Sequence, residues 1–150
     1  MKKPWSVWLL TGLLVIFSIG GFYGGMSMLL DPTGKALGVD IVLHQLPVRS
    51  YILPGLFLLA VMGLVPLFLV YSLLARPEWK WMDKILGWAP YHWGWTGTLL
   101  LVAVLAIWLL VEGLLIGMYP ITYVTAIQGA AILLTALLPG VRRYYRRDGT

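Results

Sequence analysis

A chain of 150 residues sets a ceiling of one domain. Its composition, 60% hydrophobic and 11% charged with a mean hydropathy of +0.86, excludes an ordinary water-soluble one, since soluble domains run near half apolar and a quarter charged. Cysteine is absent, which excludes disulfide staples, thiolate metal sites and thiol redox chemistry, and the formal charge of +5 points to anionic lipid headgroups rather than nucleic acid because the basic residues flank apolar runs.

A hydrocarbon core of about 30 Å needs roughly 20 apolar residues per helix. Four stretches answer to this: Trp5–Leu30, Tyr51–Leu74, Trp93–Ile116 and Ile121–Leu138. The expected fold is therefore all-α, a single transmembrane domain built as a four-helix bundle. Lys2-Lys3 ahead of an apolar run resembles a signal peptide. The run continues to Leu30 without a clean small-x-small cleavage site, so the first helix reads as an uncleaved span. In the second span Pro54 suits a first turn, whereas Pro66 should bend the helix.

Lys2, Lys3, Arg76, Lys80, Lys84, Arg142, Arg143, Arg146 and Arg147 fall on one side of this topology, and only Lys35 and Arg49 on the other. That asymmetry predicts both termini in the cytoplasm. Trp5, Trp8, Trp79, Trp81, Trp88, Trp93 and Trp95 share the basic side, as expected of indoles at headgroup level. Pro77–Ala89 reads as a Trp-rich interfacial helix. Trp81, Met82, Ile85, Leu86 and Trp88 fill one broad face, with Lys80, Asp83 and Lys84 opposite. Trp79, Trp81 and Trp88, with the tail cations Arg142, Arg143, Arg146 and Arg147, are the expected interfacial anchors.

The longest connection runs from Asp31 to Ser50 and is the natural place for a binding surface. Asp31-Pro32-Thr33-Gly34 spells a turn. Beyond it, Val39–Leu46 is expected to be a short helix with Asp40 and His44 paired four residues apart on its wet side. One histidine and scattered carboxylates lack metal-ligand spacing, so no metal and no cofactor are expected.

Glu112 is the one ionisable residue well inside a span, and such a carboxylate is a functional candidate by default. It lies roughly 10 Å from the end of its helix at 1.5 Å per residue. A hairpin centred near Pro120 sets Gln128 opposite it. Two readings follow: a structural latch between Glu112 and Gln128, or a ligand or proton site lined also by Trp108 and Tyr119, which share its helical stripe. Gly20/Gly24 and Gly21/Gly25 form two small-xxx-small pairs, serving close packing within the chain or between chains. His92 reads as an interfacial hydrogen-bonder. No serine has a visible histidine and acid partner, and no phosphate loop or dinucleotide fingerprint is present.

Several runs carry a family likeness: Gly20-Gly21, Met28 through Gly34, Leu37-Gly38, Leu53-Pro54-Gly55, His92-Trp93-Gly94-Trp95, Ile107-Trp108, Val111-Glu112 and Leu138 through Arg142. With these the chain resembles a group of small bacterial membrane proteins, and in outline it is similar to the broad DoxX-like set of four-helix membrane proteins. The resemblance implies a four-span bundle in the bacterial cytoplasmic membrane. It carries no reaction and no catalytic residues. The expected function is non-catalytic: an accessory or packing subunit of a larger membrane complex, or a lipid-binding protein. A small carrier using Glu112 and a membrane enzyme on lipid or quinone are the alternatives. Membrane lipids, a larger complex or a second copy are the expected partners, and nucleic acid is not.

Overall fold

The computed structural model describes residues 2–148, and all regular structure within them is helical. Four helices are long and apolar enough to cross a membrane: α1 (Trp5–Leu30), α2 (Ile52–Ala75), α4 (Trp93–Ile116) and α5 (Pro120–Leu137). Two short helices, α3 (Lys80–Leu86) and α6 (Pro139–Tyr145), lie at the end of the bundle that carries both chain ends. We call this the terminal end, and the opposite one the distal end. The spans pack in cyclic order: α1 against α2 and α5, and α4 against α5 and the Val65–Ala75 half of α2.

The burial pattern is that of a bundle made for hydrocarbon. Large apolar side chains such as Ile16, Ile19, Leu64, Ile107, Leu114 and Ile127 point outward. Small and hydroxylated residues, among them Gly21, Gly25, Ser18, Ser72, Thr98 and Thr135, are inside. Lipid tails are as apolar as leucine, so association rests on close packing and interhelical hydrogen bonds. Of the two glycine pairs, the Gly21/Gly25 strip faces α2. A Cβ on Gly21 would fall on the Met62 carbonyl, and one on Gly25 would stand 2.7 Å from the Leu59 nitrogen. A Cβ on Gly20 meets open space, and one on Gly24 reaches only Leu58 Cδ1 at 3.5 Å.

Pro66, the residue expected to bend this span, follows an irregular stretch of α2. It has no N–H to give back to the preceding turn. The chain responds over Leu58–Leu64 with a π-helical stretch, in which the Val65 N–H reaches back to the Ala60 carbonyl. Where the two registers meet, the Ser18 hydroxyl of α1 donates to the Gly63 carbonyl at 2.6 Å. The wide turn and the glycine strip thus meet at one place.

Three expected elements are shorter or different. The helix expected at Pro77–Ala89 is regular only over Lys80–Leu86, because Pro77 to Trp79 is held extended by contacts described below. The helix expected at Val39–Leu46 is a 3-10 helix over Asp40–Gln45. At three residues per turn, positions three apart eclipse and positions four apart do not. Asp40 and His44 accordingly form no ion pair. The arginine tail is helical only as far as Tyr145, with Val141, Tyr144 and Tyr145 buried against the bundle and Arg146 extended.

Substituting Gly25 with valine should cost on the order of 1–3 kcal/mol, the usual cost of overpacking, because backbone rather than a movable side chain stands in the way. Gly20→Ala should be neutral or slightly stabilising through helix propensity. Reversible unfolding in mixed micelles, comparing the two variants, checks this ordering.

Candidate functional site

At the distal end, the turn after α1 is organised by Asp31. Its carboxylate accepts from the Thr33 hydroxyl and N–H and, at 2.8 Å, from the Ala36 N–H. The Thr33 hydroxyl bond, then that of Ala36, holds the Asp31 carboxyl below its ordinary range. Gly34 takes a left-handed φ of 79° there, and the buried ring of Tyr51 lies where a Cβ would be. The Tyr51 hydroxyl donates to the Val39 carbonyl at 2.7 Å. Burial, with Tyr119 and Asp40 nearby, pushes that phenol's pKa up. Asp31 therefore staples a turn, while Asp40 and His44 stay exposed.

Glu112 faces α5, but its partner is Thr122, whose hydroxyl donates to Glu112 Oε1 at 2.6 Å. The same Thr122 oxygen accepts the Tyr119 N–H at 3.3 Å, capping α5. The hairpin turns at Gly117, with φ 86°, and α5 starts at Pro120 itself. The position opposite Glu112 is thus nearer than the expected Gln128, which lies half-buried further along α5. Tyr119 caps α5 instead of extending the stripe of α4. Trp108 turns toward α2 and stacks on Phe57 at 4.5 Å between ring centroids. Of the three residues expected around Glu112, Tyr119 meets it through Thr122, while Trp108 stacks on Phe57 and Gln128 lies further along α5.

At the terminal end the contacts are denser. His92 is buried and caps α4: its Nδ1 accepts from the Gly94 N–H at 3.1 Å, and its Nε2 lies 3.1 Å from the Pro77 carbonyl. A backbone N–H can only donate, so Nδ1 carries the lone pair and Nε2 the proton. Trp93 Nε1–H donates to the same Pro77 carbonyl at 2.8 Å, and this double acceptance keeps Pro77–Trp79 extended. The His92 N–H donates to the Tyr145 carbonyl at 2.8 Å, and the Tyr145 hydroxyl to the Leu73 carbonyl at 2.6 Å. Burial pushes the Tyr145 phenol far up.

The tail cations are unequal. Arg147 pairs with Asp83 of α3, Arg142 donates to the Tyr91 hydroxyl at 3.2 Å, and Arg143 and Arg146 are exposed. Arg76 lies over the Tyr144 ring at 4.9 Å. Trp79 is flanked by Trp93 and Trp81, with centroids 5.6 and 5.9 Å away. On α3, Met82 and the buried Leu86 turn inward, whereas Trp81, Ile85 and Trp88 are 57%, 62% and 76% exposed. Lys80 and Lys84 are exposed as well.

Between α2 and α4 lies a feature that the sequence reading missed. A cleft of about 320 Å³ is lined by Val61, Val65, Phe68, Leu69, Met82, Leu86, Gly97, Leu100, Leu101 and Val104. A second, of about 180 Å³, continues from Val104 past Ile107 to Phe57, Trp108 and Val111. No polar atom lines either one. The two clefts adjoin at Val104, and their linings, taken together as a groove, span about 21 Å of α4 from Gly97 to Val111 at 1.5 Å per residue. This groove lies where the α2 and α4 backbones stand further apart than along Val65–Ala75, their main region of contact. Met82, Leu86 and Phe68 close its terminal end, where Phe68 stands 5.5 Å from Trp93.

Compared with known proteins, the chain matches no family model, no curated protein and no solved structure. Among the described residues, no three histidine, aspartate or glutamate side chains gather as a metal site would require.

Two outcomes follow from these geometries. Glu112→Gln keeps the acceptor for Thr122 and should leave stability nearly unchanged, while Glu112→Leu should cost about 1 kcal/mol by orphaning the Thr122 hydroxyl; detergent unfolding of the pair checks this. Desolvation, reinforced by Arg76 and Arg147, lowers the pKa of His92 from its ordinary 6.5. Above 6.5 both folded and unfolded chains hold the neutral ring, so its contribution is complete. As pH falls below that value the unfolded chain takes up a proton that the folded chain resists, and stability is lost toward the folded pKa. Thermal unfolding should therefore occur at lower temperature at pH about 5.5 than at about 7.5, a slope that His92→Asn removes.

Proposed function

We propose that this is a non-catalytic, multi-pass membrane protein that binds lipid, holding an acyl chain in the groove between α2 and α4. The observation that carries the reading is the pair of clefts itself: adjoining at Val104, wholly apolar, and placed between two helices long and apolar enough to span a membrane. A cleft left empty there would forfeit dispersion contacts along its whole lining. In a bilayer the solvent available to restore them is an acyl chain.

The setting supports the same reading. The protein is of DoxX-like outline and lies in a bacterial cytoplasmic membrane, with the terminal end inside. Lys2, Lys3, Arg76, Lys80, Lys84 and the four tail arginines all belong to that end, as the positive-inside rule requires. Helix α3 lies in the inner headgroup layer, with Trp81, Ile85 and Trp88 toward lipid and Lys80 and Lys84 toward water. Bound lipid of this kind suits a packing subunit that presents lipid to a larger complex. The carrier reading is weaker, because Glu112 is hydrogen-bonded to Thr122, a latch between α4 and α5, rather than facing the apolar groove.

Val104 lines both halves of the groove, so Val104→Trp should fill it. The test is native mass spectrometry of protein released from nanodiscs of phosphatidylethanolamine and phosphatidylglycerol. The native chain should retain bound phospholipid, and the variant several-fold less. A folded Val104→Trp protein with undiminished lipid would sink the reading.

A further inference from the structure

Helix α3 carries Lys80, Asp83 and Lys84, and its one acid is engaged away from both lysines. Spacing along the helix offers Asp83 to Lys80, three residues before it. Instead Asp83 pairs with Arg147, from the segment after α6. Glu78, just ahead of α3, is exposed and forms no ion pair among the described residues. Lys80 and Lys84 are thus exposed cations one turn apart, without a counter-ion among those residues. Like charges at that spacing repel each other, and an anion set between them relieves the repulsion.

What lies beside the two lysines fixes the kind of anion. Trp81 and Ile85 are interleaved with them along α3, Trp88 follows its end, and all three are more than half exposed. Met82 and Leu86, by contrast, turn into the bundle. A soluble phosphate would leave those exposed apolar surfaces in water. A phospholipid covers them with its glycerol and upper acyl region while its phosphate meets the ammonium groups. Of the indoles at this end, Trp93 and Trp95 donate their N–H to the Pro77 and Ala136 carbonyls. Among the described residues Trp81 and Trp88 have no such acceptor, which leaves their N–H groups for ester or phosphate oxygens.

The same arrangement recurs at the start of α1. There Lys3 Nζ lies 6.0 Å from the ring centroid of Trp8, and Trp5 and Trp8 are both exposed. The surrounding charge has one sign. Nine of the eleven lysines and arginines belong to the terminal end, against the three acids Glu78, Asp83 and Asp148. The distal end sets Lys35 and Arg49 against Asp31, Asp40 and Glu112. Zwitterionic headgroups gain little from a cationic surface, because it repels their own cation as it attracts their phosphate.

We propose that the terminal end selects anionic over zwitterionic phospholipid, through Lys80 and Lys84 set beside Trp81 and Trp88. The selection rests on the reading above that the four long helices cross a bilayer. It is independent of whether a lipid occupies the groove.

The test uses the full chain in phosphatidylcholine vesicles, with trace phosphatidylglycerol or phosphatidylcholine carrying a nitroxide on one acyl chain. Electron paramagnetic resonance separates lipid immobilised on the protein from free bilayer lipid and so gives relative association constants. In about 20 mM salt phosphatidylglycerol should associate about threefold more strongly, a preference that about 1 M salt largely abolishes by screening. Lys80→Gln with Lys84→Gln should remove about half of that preference or more, whereas Lys80→Arg with Lys84→Arg should retain it. Lys35→Gln with Arg49→Gln takes the same charge from the distal end and should leave the preference unchanged. Val104→Trp should leave it unchanged too, whatever that variant does to lipid in the groove. All four substituted cations are exposed, so the total immobilised fraction should be the same in each variant. Equal association of the two lipids with the native chain overturns the proposal. So does a preference that survives Lys80→Gln with Lys84→Gln, that falls equally in the distal variant, or that is lost in Val104→Trp. The groove reading fails on retained lipid and this one on headgroup preference, so the two fail separately.

Discussion

Hydrocarbon offers no hydrogen bonds, so every backbone N–H and C=O within the spans must find its partner inside the protein. Pro66 removes one donor from the middle of α2, and the repair organises much of what surrounds it. A π-helical stretch over Leu58–Leu64 precedes the proline, and Ser18 of α1 donates to the Gly63 carbonyl beside it. Ser18 can reach across because Gly21 and Gly25 bring α1 onto the α2 backbone. A larger side chain on that strip would separate the helices and break this interhelical bond. The tightest helix pair in the bundle therefore lies beside the irregular turn of α2.

Close packing on one side of α2 leaves an opening on the other. Drawn against α1 along its length, α2 approaches α4 mainly through its Val65–Ala75 half. The Phe57–Trp108 stack bridges the two helices at the distal end of the resulting gap. The groove is thus the counterpart of the α1–α2 contact. At the terminal end the gap is closed by a separate device, the amphipathic α3, whose inward residues are apolar and whose position is set by polar contacts. Pro77 on the His92 and Trp93 rings, and Asp83 on Arg147, hold it from both ends.

Much of this was legible in the sequence, and what was not has physical causes. Span positions came within a residue or two, since hydropathy over some 20 residues is a strong signal and depends on no other part of the chain. The turn at Asp31 was equally local, resting on the side chain's own bonds to Thr33 and Ala36. Glu112 stood out as a carboxylate in a span, but its partner did not. The opposing residue depends on where the hairpin turns, and a shift of the turn to Gly117 exchanges Gln128 for Thr122. Proline at the first position of α5 was the available clue, since it places Thr122 in the first turn. The arginine tail read as a row of equivalent cations, because pairing with Asp83 and Tyr91 joins positions more than fifty residues apart.

The sequence by itself determined the solvent of this protein, the number of its spans, the glycine strip available for close packing and the concentration of cations and indoles at one end. These are sums over local stretches, and each would read the same in isolation. Only the tertiary structure decided that Gly21 and Gly25, rather than Gly20, carry the α1–α2 contact, that α2 and α4 part to leave an apolar groove, and that His92 joins Pro77, Gly94 and Tyr145. Those outcomes depend on the rotation of one helix about its axis relative to the next. Helices hydrophobic on nearly every side leave that rotation almost unmarked in their pattern.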